Sequence, residues 1–293
     1  MIEFLQQLVN GITVGSIYAL VALGYTMVYG ILFFINFAHG EIYMMGAFLC
    51  WTLVLWKVPF ILAFFVSMAC CGLLGVTIEK IAYRPLRHVS RLGPLITAIG
   101  MSILLQNLAA LIWGNKPKPF SLPDWFPFES FDIGGVIIDS FQITILGISI
   151  LFMIGLDQFV MKTKMGKAMR ATAENIPVAS LMGINVDTVI STVFAVGSML
   201  AAVGGILVGM YYNSLYPMMG FVPGLAAFTA AVLGGIGNIR GAMLGGMLIG
   251  ILENLGAGYI SAGYKQAIAF IVLVLLLLFR QEGLLGQVEK EKV

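Results

Sequence analysis

Charge is scarce in this sequence: 10% of its 293 residues are ionised and 60% are hydrophobic, whereas a soluble domain carries about a quarter charged residues. A water-soluble fold of this size could not cover itself. Histidine is scarcer still, with two copies. That argues against an intramembrane enzyme, which needs clustered His, Asp or Glu for general acid and base work. The three cysteines, Cys50, Cys70 and Cys71, are odd in number and lie in apolar stretches, so they read as packed thiols and not as a metal site. No Gly-x-x-x-x-Gly-Lys-Ser/Thr is present, so the chain cannot cradle nucleotide phosphates itself. The opening Met-Ile-Glu-Phe-Leu-Gln-Gln has no basic n-region and no small-residue cleavage site follows, so the first apolar segment is expected to stay in the mature protein.

What is present is long apolar runs. Nothing ionised lies between Glu3 and His39, Lys57 and Glu79, Arg91 and Lys116, or Asp187 and Arg240, and about 20 apolar residues suffice to cross the hydrocarbon. Eight hydrophobic blocks result, at about 4–35, 42–56, 60–79, 92–114, 140–161, 187–212, 221–254 and 264–280. The fold class is therefore all-α, a polytopic membrane protein. Basic residues concentrate at Lys80, Arg84, Arg87 and Arg91, then Lys162, Lys164, Lys167 and Arg170, then Arg280, Lys290 and Lys292. The positive-inside rule makes these cytoplasmic, and three crossings before Lys80 put the N-terminus outside. The polar insertion 115–139 is then an extracytoplasmic loop. Its proline-rich first half, with Trp125, Phe126 and Phe128, suits the lipid interface, and Phe-Asp-Ile-Gly-Gly-Val-Ile-Ile reads as a hairpin turning at Gly134 and Gly135.

Two blocks are expected to be interrupted. The first has no charge over far more residues than one crossing needs, then meets Asn36, His39 and Glu41 before turning apolar again. The seventh is punctuated by Gly234, Gly235, Gly237 and Asn238, which leaves pieces of about 11 to 14 residues, too short to cross alone. Discontinuous helices are tolerated where protein or a water-filled cavity satisfies the freed backbone, and they point to transport sites. Each break has a second reading: Asn36 as a helix cap with Glu41 in the first turn, and the glycine run as a cytoplasmic turn beside Arg240. Sixteen of the 35 glycines fall between Gly197 and Gly263, several in small-xxx-small pairs such as Gly246 with Gly250, which suits close helix packing in lipid.

Only His39, Glu41, Asp157 and Glu253 lie near apolar segments. Asp157 reads as interfacial and Glu253 as paired with a polar neighbour. That interior is too neutral for a proton relay, so external ATPase subunits are the expected engine. The stretch from Lys162 to Asn185 reads as a basic helix, a break at Asn175 to Pro177, and a short second helix stopped by Gly183. Val178, Ala179, Leu181 and Met182 give that second helix an apolar surface suited to a cytosolic partner. The alternative is a basic loop against anionic lipid.

This stretch resembles the coupling loop of ABC importer permeases, with Glu174 and Gly183 at its acidic and glycine positions and Ala173-Glu-Asn175 where Glu-Ala-Ala is commoner. The runs 36–48, 228–246 and Gly283-Leu-Leu-Gly286 are similar to branched-chain amino acid importer permeases of the H type. The resemblance implies a permease domain over 1–286, an ATPase-coupling elbow over 162–185 carrying Lys167, Arg170, Glu174, Asn175 and Gly183, and a cytoplasmic tail over 287–293. Asn36, His39, Glu41, Gly234, Gly235, Gly237 and Asn238 become the candidate translocation path or gate. Implied partners are a second related permease, two cytosolic ATPases that bind ATP and Mg, an extracytoplasmic amino-acid-binding protein and the plasma-membrane bilayer, with no nucleic acid and no cofactor in this chain. Permeases for urea, short amides or other neutral amino acids look similar, and an ion-coupled secondary carrier is a more distant alternative.

Overall fold

The computed structural model describes residues 1–87, 92–123, 125–279 and 283–286. Arg91, Asp124, Arg280 and the tail 287–293 lie outside the described residues. The helices run in order α1 (Ile2–Leu32), α2 (Ala38–Leu55), α3 (Phe60–Ile78), α4 (Leu92–Trp113), α5 (Ser140–Lys162), α6 (Lys164–Glu174), α7 (Ile176–Leu181), α8 (Val186–Tyr211), α9 (Phe221–Gly234), α10 (Ile239–Tyr259) and α11 (Lys265–Phe279). Among the described residues seven helices are long and apolar enough to cross a membrane, and α9 and α11 are shorter apolar helices. The chain is an all-α, multi-pass membrane protein.

α1 is the axle. Its 31 residues make one helix about 46 Å long, and 94% of its apolar window is covered by protein. The first block is thus continuous, and its discontinuity falls after the helix instead of within it. No amphipathic stripe marks α1, because a helix surrounded on all sides has no polar face. It packs on α10, α8, α9 and α5, while α4 sits at the rim with 22% of its window covered. The contact with α10 requires glycine: a Cβ at Gly15 would lie 2.8 Å from the Met247 Cα, and one at Gly11 would lie 2.7 Å from the Ile251 Cα. Gly11 and Gly15 on α1 face Gly246 and Gly250 on α10, so both helices carry small residues four apart and their backbones touch.

The second interrupted block also differs from expectation. Its second piece is α10, 21 residues long and able to cross, and only α9, with 14, is a half-length helix. The loop preceding α5 ends in an antiparallel pair, β1 (Ser130–Ile133) and β2 (Val136–Asp139), with Gly134 and Gly135 in the turn at φ 67° and 91°. The Gln6 side chain of α1 serves this hairpin's edge, accepting from Ile137 N at 2.8 Å and donating to Ile137 O at 2.9 Å.

The molecule has two distinct ends. At the hairpin end, Trp51 Nε1 donates to Pro119 O at 2.9 Å and Lys118 pairs with Leu215. At the basic end, Arg87 Nη1 on the turn after α3 reaches Asp187 Oδ1 of α8 at 2.8 Å, and Arg240 Nε of α10 reaches Asp157 Oδ1 of α5 at 3.2 Å. The basic residues at 80–87 and 162–170 therefore gather at one end, as does Gly283–Gly286.

Candidate functional site

The first chemistry-bearing cluster lies between α1 and α2. Asn36, His39 and Glu41 are all buried, yet they point to three different neighbours. The Asn36 Oδ1 accepts from the Tyr83 hydroxyl at 2.6 Å. It does not cap α2, whose cap position is Phe37 and has no side-chain cap. His39 is wedged against Gly24 and Gly197, with Nε2 3.2 Å from the Val21 carbonyl and its ring 4.7 Å from that of Tyr25. It joins α1, α2 and α8 as a core residue. Glu41 turns the other way, toward α4: its Oε1 accepts from Ser102 Oγ at 3.1 Å and from Gln106 Nε2 at 2.7 Å. The other oxygen, Oε2, is buried and has no hydrogen-bond partner among the described residues.

α9 begins at the same place. A Cβ on Gly224 would lie 2.9 Å from the Gly40 Cα, and one on Gly220 would lie 3.1 Å from Glu41 Oε2. Two helix starts therefore converge on one carboxylate, with the non-helical 212–220 segment reaching it from the end of α8. Beside them a cavity of about 440 Å³ is lined by Tyr25, Ser102, Gln106, Phe221, Leu225 and Phe228, among others. Its size suits a small molecule.

The second cluster is the α6–α7 elbow. Thr163 caps α6 by accepting from Gly166 N at 3.0 Å, which turns the chain sharply off the end of α5. Gly166, Met169 and Thr172 are buried, while Lys164, Lys167, Arg170 and Glu174 lie on the exposed side. Asn175 ends α6 and starts α7, accepting from Val178 N at 3.0 Å, and Gly183 at φ 83° ends α7 in a conformation that favours glycine. Asn185 then caps α8 through Thr188 N at 3.0 Å. Only Ala179 of α7 is buried; Val178, Leu181 and Met182 are 52%, 87% and 78% exposed. An open cavity of about 1320 Å³ lies between α7 and the end of α1.

Residues 7–277 match the family described as branched-chain amino acid transport system / permease component. The chain belongs to that family. It is 50% identical to the high-affinity branched-chain amino acid transport system permease protein BraD of Pseudomonas aeruginosa, over 99% of this chain and 98% of that protein. It is 44% identical to the permease protein LivH of the same-named system of Escherichia coli, again over 99% and 98%. The ribose import permease protein RbsC of Haemophilus influenzae is 26% identical over 89% of this chain and 81% of that protein.

In this permease the glycine run after α9 forms a turn at the basic end. Asn238 caps α10 through Gly241 N at 3.0 Å and donates from Nδ2 to Leu285 O at 2.8 Å; Gly237 N donates to Thr26 Oγ1 at 2.9 Å. Leu284 N and Leu285 N donate to the carbonyls of Leu233 and Gly234 at 2.8 and 3.1 Å. Gly235, at φ 102°, packs on the Gly286 backbone, where a side chain has no room. Gly234, Gly235, Gly237 and Asn238 are therefore brought together with the Gly283–Gly286 segment and not with Glu41.

Sequence reasoning missed several residues. Ser102 and Gln106 were detectable as a polar pair four apart on the mostly apolar α4, a spacing that shares one helical face. Glu79 was passed over because it ends an apolar run. It is fully buried and holds Arg84 (Nη2 to Oε2, 3.0 Å), Arg87 and the Ser191 hydroxyl (2.7 Å), while both arginines also reach Asp187. This network ties the end of α3 to the start of α8, directly after the elbow. Glu253 finds the expected polar neighbour, the Tyr18 hydroxyl at 2.8 Å.

Proposed function

We propose that this permease is the translocation subunit of an ATP-driven ABC importer of leucine, isoleucine and valine in the plasma membrane. On this reading the basic end is cytoplasmic, by the positive-inside rule, and the hairpin end meets an extracytoplasmic amino-acid-binding protein. A second related permease and two cytosolic ATPases, which bind ATP and Mg, complete the assembly. The branched-chain cargo is favoured over sugars by the 50% and 44% identities to permeases named for it, against 26% to the ribose permease.

The observation that carries the ATP-driven reading is the elbow: a short helix capped by Asn175 and stopped at Gly183, with Val178, Leu181 and Met182 turned outward. Exposed apolar side chains at a basic, polar end are costly unless a partner covers them. An ATPase seated there would move α7, and the Glu79 network would pass the motion to α3 and α8 as the path opens to each side in turn. This chain performs no covalent chemistry. Glu174 and Gly183 act in the elbow as part of the lever and its stop.

Leu181→Asp tests the dock without touching the membrane core. The expected result is loss of ATPase subunits from the purified complex with unchanged permease yield. Full retention of the ATPases would count against the elbow as their seat.

A further inference from the structure

Among the described residues one buried carboxylate oxygen, Glu41 Oε2, has no hydrogen-bond partner, and Glu41 sits where two helix starts, a polar face of α4 and an apolar cavity meet. We propose that the cavity between α2, α4 and α9 is a station for the amino-acid cargo, with Glu41 receiving the cargo's ammonium group. The proposal rests on the branched-chain reading above for the identity of the cargo.

Three observations converge on it. Glu41 is 1% exposed, and Ser102 and Gln106 donate to its Oε1, so the carboxylate is held in one orientation. Its Oε2 is left unsatisfied, and a buried acceptor in that condition costs free energy that a cationic donor would return as a charge-assisted hydrogen bond. Ser102 and Gln106 themselves line the cavity, as do Gly40 and Gly220, whose backbones flank the carboxylate. The ammonium would thus enter from the cavity side.

The rest of the cavity fits the rest of an aliphatic amino acid. Ile99, Ile103, Leu225 and Phe228 offer apolar walls, which suit a branched side chain and offer little to a sugar. Phe221 opens α9, so the positive end of that helix lies beside the cavity and favours the cargo's carboxylate. The helix start alone would mean little; the unsatisfied oxygen gives the site its sign.

Labelling tests this with Glu41 intact. Met218, 61% exposed at the cavity mouth, is replaced (Met218→Cys) in a Cys70→Ala background, since Cys70 is the exposed native thiol. Thiol labelling of the assembled complex is timed with leucine, with 3-methylbutan-1-amine (leucine without its carboxylate) and with 4-methylpentanoate (leucine without its ammonium). Leucine and the amine are expected to slow labelling and the acid is not. Equal protection by the acid, or none by leucine, overturns the proposal. In the same preparation Glu41→Gln, which keeps the shape and removes the charge, is expected to cut ATP-driven leucine uptake by about tenfold or more, the equivalent of one 1.4 kcal/mol contact. Co-purification of the Glu41→Gln permease with its ATPase subunits at unchanged yield separates a lost cargo contact from a misfolded chain. Unchanged uptake in Glu41→Gln overturns the station. Absence of ATP-driven leucine uptake in the unmodified complex would instead overturn the importer reading, whatever the labelling shows.

Discussion

Glu79 and Asp187 touch the same two arginines, but they differ in exposure: the Glu79 side chain is fully buried and that of Asp187 is 54% exposed. Removing one member of a buried charge pair strands the other and costs about 3–5 kcal/mol, whereas an exposed pair contributes about 0–1 kcal/mol. Glu79→Gln should therefore lower the melting temperature of the detergent-purified permease sharply, and Asp187→Asn should barely move it. Equal shifts in the two variants would mean that burial does not set the strength of this network. At this scale the sequence was partly legible. Asn36, His39 and Glu41 stood out as polar groups amid apolar ones, but spacing along the chain could not reveal that they face Tyr83, Val21 and α4 respectively. Those directions depend on helices far away in sequence. Ser102 and Gln106 acquire meaning only once α4 is laid beside α2.

Among the elements, the α1–α10 contact is the most exacting. A side chain at Gly15 would collide with the Met247 backbone, and backbone cannot swing aside as a flexible side-chain end can. Gly15→Val is expected to destabilise by at least about 1–3 kcal/mol, the usual cost of overpacking, and to reduce yield of folded permease. Gly100→Ala, on rim helix α4 with open space around it, serves as the control and should leave the melting temperature unchanged. If both variants behave alike, the close crossing does not govern stability. Glycine spacing on α10 was readable from the sequence, but its partner set, Gly11 and Gly15, was hidden in the run that seemed too long for one helix. Length misled here because a helix covered by protein over most of its length can project beyond the hydrocarbon, its exposed first turn meeting the hairpin. The elbow was more legible, since Asn175, Pro177, Gly183 and Asn185 carry stop and start chemistry that acts locally.

For the whole molecule, the gathering of basic residues at one end and the hairpin at the other makes sidedness testable. Single cysteines at Ile133 and at Met182, both exposed, should label from opposite faces of the membrane, with Ile133→Cys reached by an impermeant reagent added outside intact cells. Labelling of both from outside would contradict the orientation. Charge placement gave this polarity from sequence, because lysine and arginine counts need no tertiary information. The half-length α9 was legible as a piece of the seventh block too short to cross, but its place beside Glu41 was not, since only the packing of Gly220 and Gly224 on Gly40 shows it.

The central claim is that ATP hydrolysed by partner subunits drives leucine through this permease by way of the elbow. Its most direct test is leucine uptake into proteoliposomes holding the assembled complex with ATP enclosed, for the unmodified permease, Glu174→Ala and Gly183→Pro. Uptake that requires ATP and falls in both variants, while loaded binding protein still docks, is the predicted result. Uptake that follows an ion gradient and ignores both ATP and the elbow would contradict it.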